Sequence, residues 1–138
     1  MNIQKFTQKS LEAIQNAQSI ALENQNSQIE QEHLMLSLLE QEDSLIKELL
    51  KKMGITNGFE ETLKNKINMM PKMSGGARPN DSIYVSRDID VTLNDAEKIA
   101  TKMKDEYVSV EHIMLSLFDN ANGQIKDLFR TYGINKNE

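Results

Sequence analysis

Two acid–imidazole pairs are the residues best suited to chemistry: Glu32-His33 and Glu111-His112. A carboxylate beside an imidazole can pass protons in general acid–base catalysis or hold a metal ion. Both pairs fall at the start of predicted helices. Adjacent helical residues point about 100° apart, so neither pair converges on one atom as an i, i+4 pair would. The plainer reading is a His in a first helical turn, packed or hydrogen-bonded where the repeats meet. No phosphate-cradling G-x-x-x-x-G-K-[ST] is present, nor a G-x-S-x-G elbow, nor any Cys. That removes an ATPase, a serine-hydrolase elbow and a thiol nucleophile from this stretch. The reading is therefore of no catalytic residue, no metal site and no cofactor.

The surroundings of those pairs carry the stronger signal. Glu32-His33-Leu34-Met35-Leu36-Ser37-Leu38 returns 79 residues on as Glu111-His112-Ile113-Met114-Leu115-Ser116-Leu117. Six of the seven positions are identical. Without a gap, Ala17, Ile20 and Ala21 fall on Ala96, Ile99 and Ala100, and Ile46, Lys47 and Leu49 fall on Ile125, Lys126 and Leu128. Gly54-Ile55 falls on Gly133-Ile134. Such a register over some fifty residues is a tandem duplication.

Each copy reads as helices. Thr7 caps the first, which runs to about Glu23 with Leu11, Ile14, Ala17 and Ala21 on one face. A second runs from about Gln31 to Glu40. A third, capped by Asp43 or Ser44, runs through Met53, with Gly54 following as its C′ residue. Asn57 and Glu60 start a fourth, with Phe59, Leu63 and Ile67 inward and Pro71 as its stop. Pro71 to Ser82, with Ser74-Gly75-Gly76 and Pro79-Asn80-Asp81, reads as a linker. Ser86, Ser109 and Gln124 then open three helices matching the first three. The offset moves the fourth helix to positions 136–148, past Glu138. The expected fold is all-α: two pseudo-twofold-related four-helix repeats, 1–70 and 83–138, joined by linker 71–82 and sharing one core, with the last helix truncated. The Met69, Met70 and Met73 cluster reads as helix-end packing before an adaptable binding surface.

Composition bounds the function. The chain has 138 residues, net charge −5, 38% hydrophobic residues and no Trp, so Leu, Ile and Met must fill the core. An acidic chain is a poor partner for nucleic acid. No apolar run approaches the ~20 residues of a membrane span. The absence of Cys suits a reducing cytosol, so a cytoplasmic monomer is expected.

The duplicated E-H-[LI]-M-L-S-L unit resembles the N-terminal domain of the Clp family of AAA+ unfoldases. Phe6-Thr7-Gln8-Lys9-Ser10, Pro71-Lys72-Met73-Ser74-Gly75 and Asp105-Glu106-Tyr107-Val108-Ser109-Val110-Glu111-His112 resemble, in particular, its ClpB-type disaggregases. Gln31 stands where that family usually has Pro. The resemblance implies a non-catalytic domain on a hexameric ATP-driven ring. Its partners would be unfolded or aggregated polypeptide and the rest of the ring. It also implies substrate contacts at Thr7, Asp105 and Glu111, and an apolar contact at Leu93. Residue by residue, the ordinary roles are an N-cap for Thr7, a polar turn for Asp105, a dipole partner for Glu111 and core for Leu93. A ClpC-type domain that recruits adaptors or marked substrates is the alternative, and a stand-alone enzyme using the Glu-His pairs is the alternative of another class.

Overall fold

In the computed structural model residues 3–55, 58–72 and 84–134 are described. Asn57, Met73 and linker positions 73–82 lie outside them. The elements are α1 (Gln8–Glu23), β1 (Gln28–Ile29), α2 (Gln31–Glu40), α3 (Leu45–Lys52), α4 (Gly58–Asn68), β2 (Tyr84–Val85), α5 (Arg87–Lys102), α6 (Val110–Asp119) and α7 (Gly123–Thr131). A single 3-10 turn, Ile3–Lys5, precedes α1. The architecture is all-α, and its helices follow the duplication.

Helix starts are set by side-chain acceptors. Thr7 Oγ1 takes the Ser10 N–H at 3.1 Å and Ser86 Oγ takes the Ile89 N–H at 3.2 Å. Ser44, rather than Asp43, caps α3 through the Lys47 N–H. Asn122 caps α7 through the Ile125 N–H, which starts that helix one residue before Gln124. Helix ends repeat as well. Gly54 and Gly133 take φ of +81° and +67° after α3 and α7. Ile55 and Ile134 then donate back to Leu50 O and Phe129 O, closing the helix ends. After α1 and α5 the left-handed residues are Gln25 (φ +61°) and Lys104 (φ +63°).

Small residues bring the paired helices close. Ala13, Ala17 and Ala21 of α1 are fully buried against α2, and Thr92, Ala96 and Ala100 stand at the same places on α5. The serine in each repeated motif crosses that seam. Ser37 Oγ donates to Ala13 O at 2.5 Å, and Ser116 Oγ donates to Thr92 O at 2.6 Å. Leu34, Leu38, Ile113 and Leu117 are all at most 1% exposed.

The two copies exchange their leading segments. Phe6, just before α1, pairs in parallel with Val108, just before α6. Val85, just before α5, pairs with Ile29, just before α2. The offset of 79 carries one pairing onto the other. These short ladders are missing from an all-helix sequence reading because two residues leave no periodicity to detect.

Gln31 adds a polar bolt. Its side-chain Nε2 donates to Thr92 Oγ1 at 3.0 Å and to Asn120 O at 2.8 Å. Its Oε1 accepts the Asn122 N–H at 2.7 Å. At the first helical position Pro is favoured because its missing N–H is not needed. Here Gln uses that position to reach three groups of the other repeat.

Leu38→Ala and Leu117→Ala should each cost about 2–5 kcal/mol. Gln31→Leu strands the half-buried Asn122 N–H and Asn120 carbonyl and should cost about 1–3 kcal/mol. Urea unfolding at pH 7 measures all three, and a Gln31→Leu midpoint equal to that of the parent would contradict the bolt.

Candidate functional site

The histidines are held alike in both repeats. His33 Nδ1 accepts the Glu30 backbone N–H at 2.8 Å, and His112 Nδ1 accepts the Ser109 N–H at 2.9 Å. A backbone N–H can only donate, so Nδ1 carries no proton and Nε2 carries it. Nε2 therefore donates at 2.8 Å, to Asn26 Oδ1 from His33 and to Asp105 Oδ2 from His112. Each imidazole fixes the turn between two helices, within its own repeat rather than across the repeat contact. Both ring nitrogens are hydrogen-bonded within the turn, and His112 Nδ1 also lies 3.0 Å from Ser109 Oγ. Among the described residues no group of three or more His, Cys, Asp or Glu is placed to hold a metal.

Substitution at one repeated position makes the two turns differ. Asn26 is buried, and its Nδ2 also donates to Pro71 O at 3.2 Å. Asp105 occupies the matching place as a carboxylate with its side chain 49% exposed, oriented by a His112 that is only 5% exposed. The second turn thus presents a fixed negative charge to solvent, and exposed Tyr107 stands two residues on.

Thr7 is joined to this surface by its backbone. Its N–H donates to Val108 O at 3.0 Å, and Val108 N–H donates to Lys5 O at 2.7 Å. Thr7 Oγ1 donates to Ser10 Oγ, which donates to the same Val108 carbonyl at 2.9 Å. Val108 is three residues from both Asp105 and Glu111, so chain reach alone keeps each within about 11 Å of it. Thr7 is thus bonded to Val108, and Asp105 and Glu111 lie three residues to either side of Val108 in the chain. Thr7's hydroxyl is already committed to Ser10, which makes it a positioning residue here.

Glu111 is exposed on the first turn of α6. Its counterpart Glu32 is buried and accepts from Asn122 Nδ2 at 3.1 Å. Burial pushes the Glu32 carboxyl above its usual 4.5, against the lowering by that hydrogen bond. Leu93 is 3% exposed on the inward face of α5 with Ile89, Ala96 and Ala100, which assigns its side chain to the core. Met69 is 84% exposed, whereas Met70 packs against the core.

Taken together, the described residues define an all-α domain built from a duplicated helical unit. The Clp repeat (R) N-terminal domain family matches residues 5–132, and the chain belongs to it. The chain is 37% identical over 139 residues to the chaperone protein ClpB of Clostridium tetani, covering 100% of this chain and 16% of that protein. It spans about one sixth of the length of the curated relatives it matches. Among solved structures, the Hsp104 N-terminal domain from Candida albicans superposes with a TM-score of 0.82 at 29% identity, covering 94% of this chain and 83% of that one. A ClpV N-domain in complex with a VipB peptide superposes with a TM-score of 0.71 at 18% identity, covering 94% and 80%, and shares the fold. No helix among the described residues is long and apolar enough to cross a membrane.

The buried His33 sets a pH dependence. Burial lowers it from 6.5 to about 4. Between those values the unfolded chain binds a proton that the folded chain does not, so stability falls as pH drops from 6.5 towards 4. The loss is on the order of 2–3 kcal/mol. Glu32, raised above 4.5, acts in the opposite sense, because its folded form holds a proton that the unfolded form has lost. A His33→Gln variant should be less stable at pH 7 and should show a smaller difference between pH 7 and pH 5 in urea melts. An NMR titration in which His33 charges near 6.5 would contradict the assignment.

Proposed function

We propose that this domain engages unfolded or aggregated polypeptide on behalf of a ClpB-type AAA+ ring. The contact surface is the one around Asp105, Tyr107 and Glu111, with Thr7 holding it in place. The observation that carries the reading is the Asn26-to-Asp105 difference. The same imidazole-braced turn is neutral and tied to Pro71 in the first repeat, but anionic and open in the second. A carboxylate whose geometry is fixed before binding accepts backbone N–H or Lys and Arg donors without a large ordering cost. Tyr107 supplies an amphipathic, rotamer-poor face beside it. Leu93 is buried and is not part of this surface.

Three further observations support the reading. The relatives with the same chain pattern are ClpB chaperones. The solved likeness at 29% identity is to an Hsp104 N-terminal domain. The same fold, in a ClpV N-domain, is found with a peptide. A ClpC-type adaptor-recruiting role is the second reading, and the ClpB identities extending over the whole chain weigh against it.

Asp105→Ala combined with Glu111→Ala should weaken binding of an unfolded client, such as a reduced and carboxymethylated protein, at least five-fold. The helical CD signal should stay unchanged. Added salt should weaken the parent more than the double variant, since exposed charge pairs are screened. Equal affinities for parent and variant would overturn the assignment.

A further inference from the structure

The two histidines do more than start their helices. Each stands at the third helical position, where a capping box ordinarily has Glu or Gln reaching back to the N-cap N–H. Nδ1 alone does that work, on the Glu30 N–H and the Ser109 N–H. The far nitrogen, Nε2, is surplus to capping, and in each repeat it goes to the side chain seven residues back.

What that second bond secures differs between the repeats. Asn26 is held several times over. Asn24 Nδ2 donates to its Oδ1 at 2.9 Å, its own Nδ2 donates to Pro71 O at 3.2 Å, and it is buried. Asp105 has its backbone N–H on Ala100 O at 2.9 Å. Among the described residues, its carboxylate has a single hydrogen-bond partner, His112 Nε2. That bond takes Oδ2 and leaves Oδ1 for another donor. The ring is itself immobile, because His112 is buried and its Nδ1 is bonded to the first residue of the capping box. One imidazole therefore ties a half-exposed carboxylate to the first turn of α6, which carries Glu111.

We infer that His112 is the positioning residue for client binding. It acts through Asp105, by holding that carboxylate in one orientation relative to Glu111. This role presupposes the client surface at Asp105, Tyr107 and Glu111. A loose Asp side chain must be ordered when a Lys, Arg or backbone N–H donor arrives, and one ordered beforehand spares that cost. His33 has no such role, since Asn26 keeps its other partners and faces inward.

Two substitutions separate the ring's nitrogens. In His112→Asn the amide oxygen can take the place of Nδ1 on the Ser109 N–H, but nothing reaches Asp105. In His112→Gln the longer side chain can return an N–H to Asp105. Binding of a reduced and carboxymethylated protein is measured for both, in the parent and in an Asp105→Ala background. His112→Asn should weaken binding about two- to tenfold in the parent, the effect of ordering one side chain, and His112→Gln should weaken it less. In the Asp105→Ala background neither should have any further effect, because residues acting as one unit are not additive. His33→Asn should lower the urea midpoint and leave the affinity unchanged. In the parent protein, side-chain NMR couplings of Asp105 should report one χ1 rotamer. Averaged couplings there would overturn the inference without any variant. Equal losses from His112→Asn in both backgrounds would also overturn it, since His112 would then act through the fold. So would full affinity in His112→Asn where Asp105→Ala alone weakens binding. Full affinity in Asp105→Ala itself would overturn the client surface, and the role of His112 with it.

Discussion

Each repeat lends its leading segment to the other, and much of the arrangement depends on that exchange. Phe6 lies on Val108 and Val85 lies on Ile29, so the segment that precedes one repeat's first helix is held by the loop before the other repeat's second helix. Backbone hydrogen bonds such as Thr7 N–H to Val108 O and Ser86 N–H to Ile29 O are a small energy by themselves. Their effect is geometric: they fix where α1 and α5 begin, and so which faces of those helices meet α2 and α6. A repeat of some fifty residues is marginal on its own. The exchange and the Gln31 bolt turn two marginal units into one core.

The duplication then had room to diverge at places the core does not police. Asn26 and Asp105 are both acceptable partners for an imidazole Nε2–H, since each offers an oxygen at 2.8 Å. The change of one side-chain amide into a carboxylate leaves the turn intact and alters only what faces outward. Glu32 and Glu111 diverge the other way, through burial instead of identity. Asymmetry between the copies is therefore concentrated at turns and first helical turns, where a side chain can change its partner without moving the backbone.

Much of this was legible in the residues. The gapless offset gave the repeat, the three- and four-residue apolar steps gave the helices, and Gly54 and Gly133 gave their ends. What was not legible depended on contacts distant in sequence. The strand-like pairings join residues that carry no local mark. Gln31 looked like a departure from a family Pro, and its three bonds to the second repeat appear only in three dimensions. His33 and His112 were read as packed or hydrogen-bonded helix-start residues, but their partners, a backbone N–H three residues back and a side chain seven residues back, follow from the turn shape. Leu93 carried two readings because apolar periodicity marks a buried face and an exposed groove alike, and burial separates them.

The exchanged segments also bear on how the domain is made. Ser10 reaches Val108 across 98 residues of chain, so the first helix of the first repeat is completed by a residue translated near the end of the domain. Vectorial synthesis delivers α1 to α4 long before their clasp exists, and that half waits with Phe6 unhoused. Contacts of such high sequence separation slow folding, and exposed apolar segments in the interval are prone to mispairing. Two nascent chains emerging side by side would offer each other the very surfaces each is waiting to receive from itself.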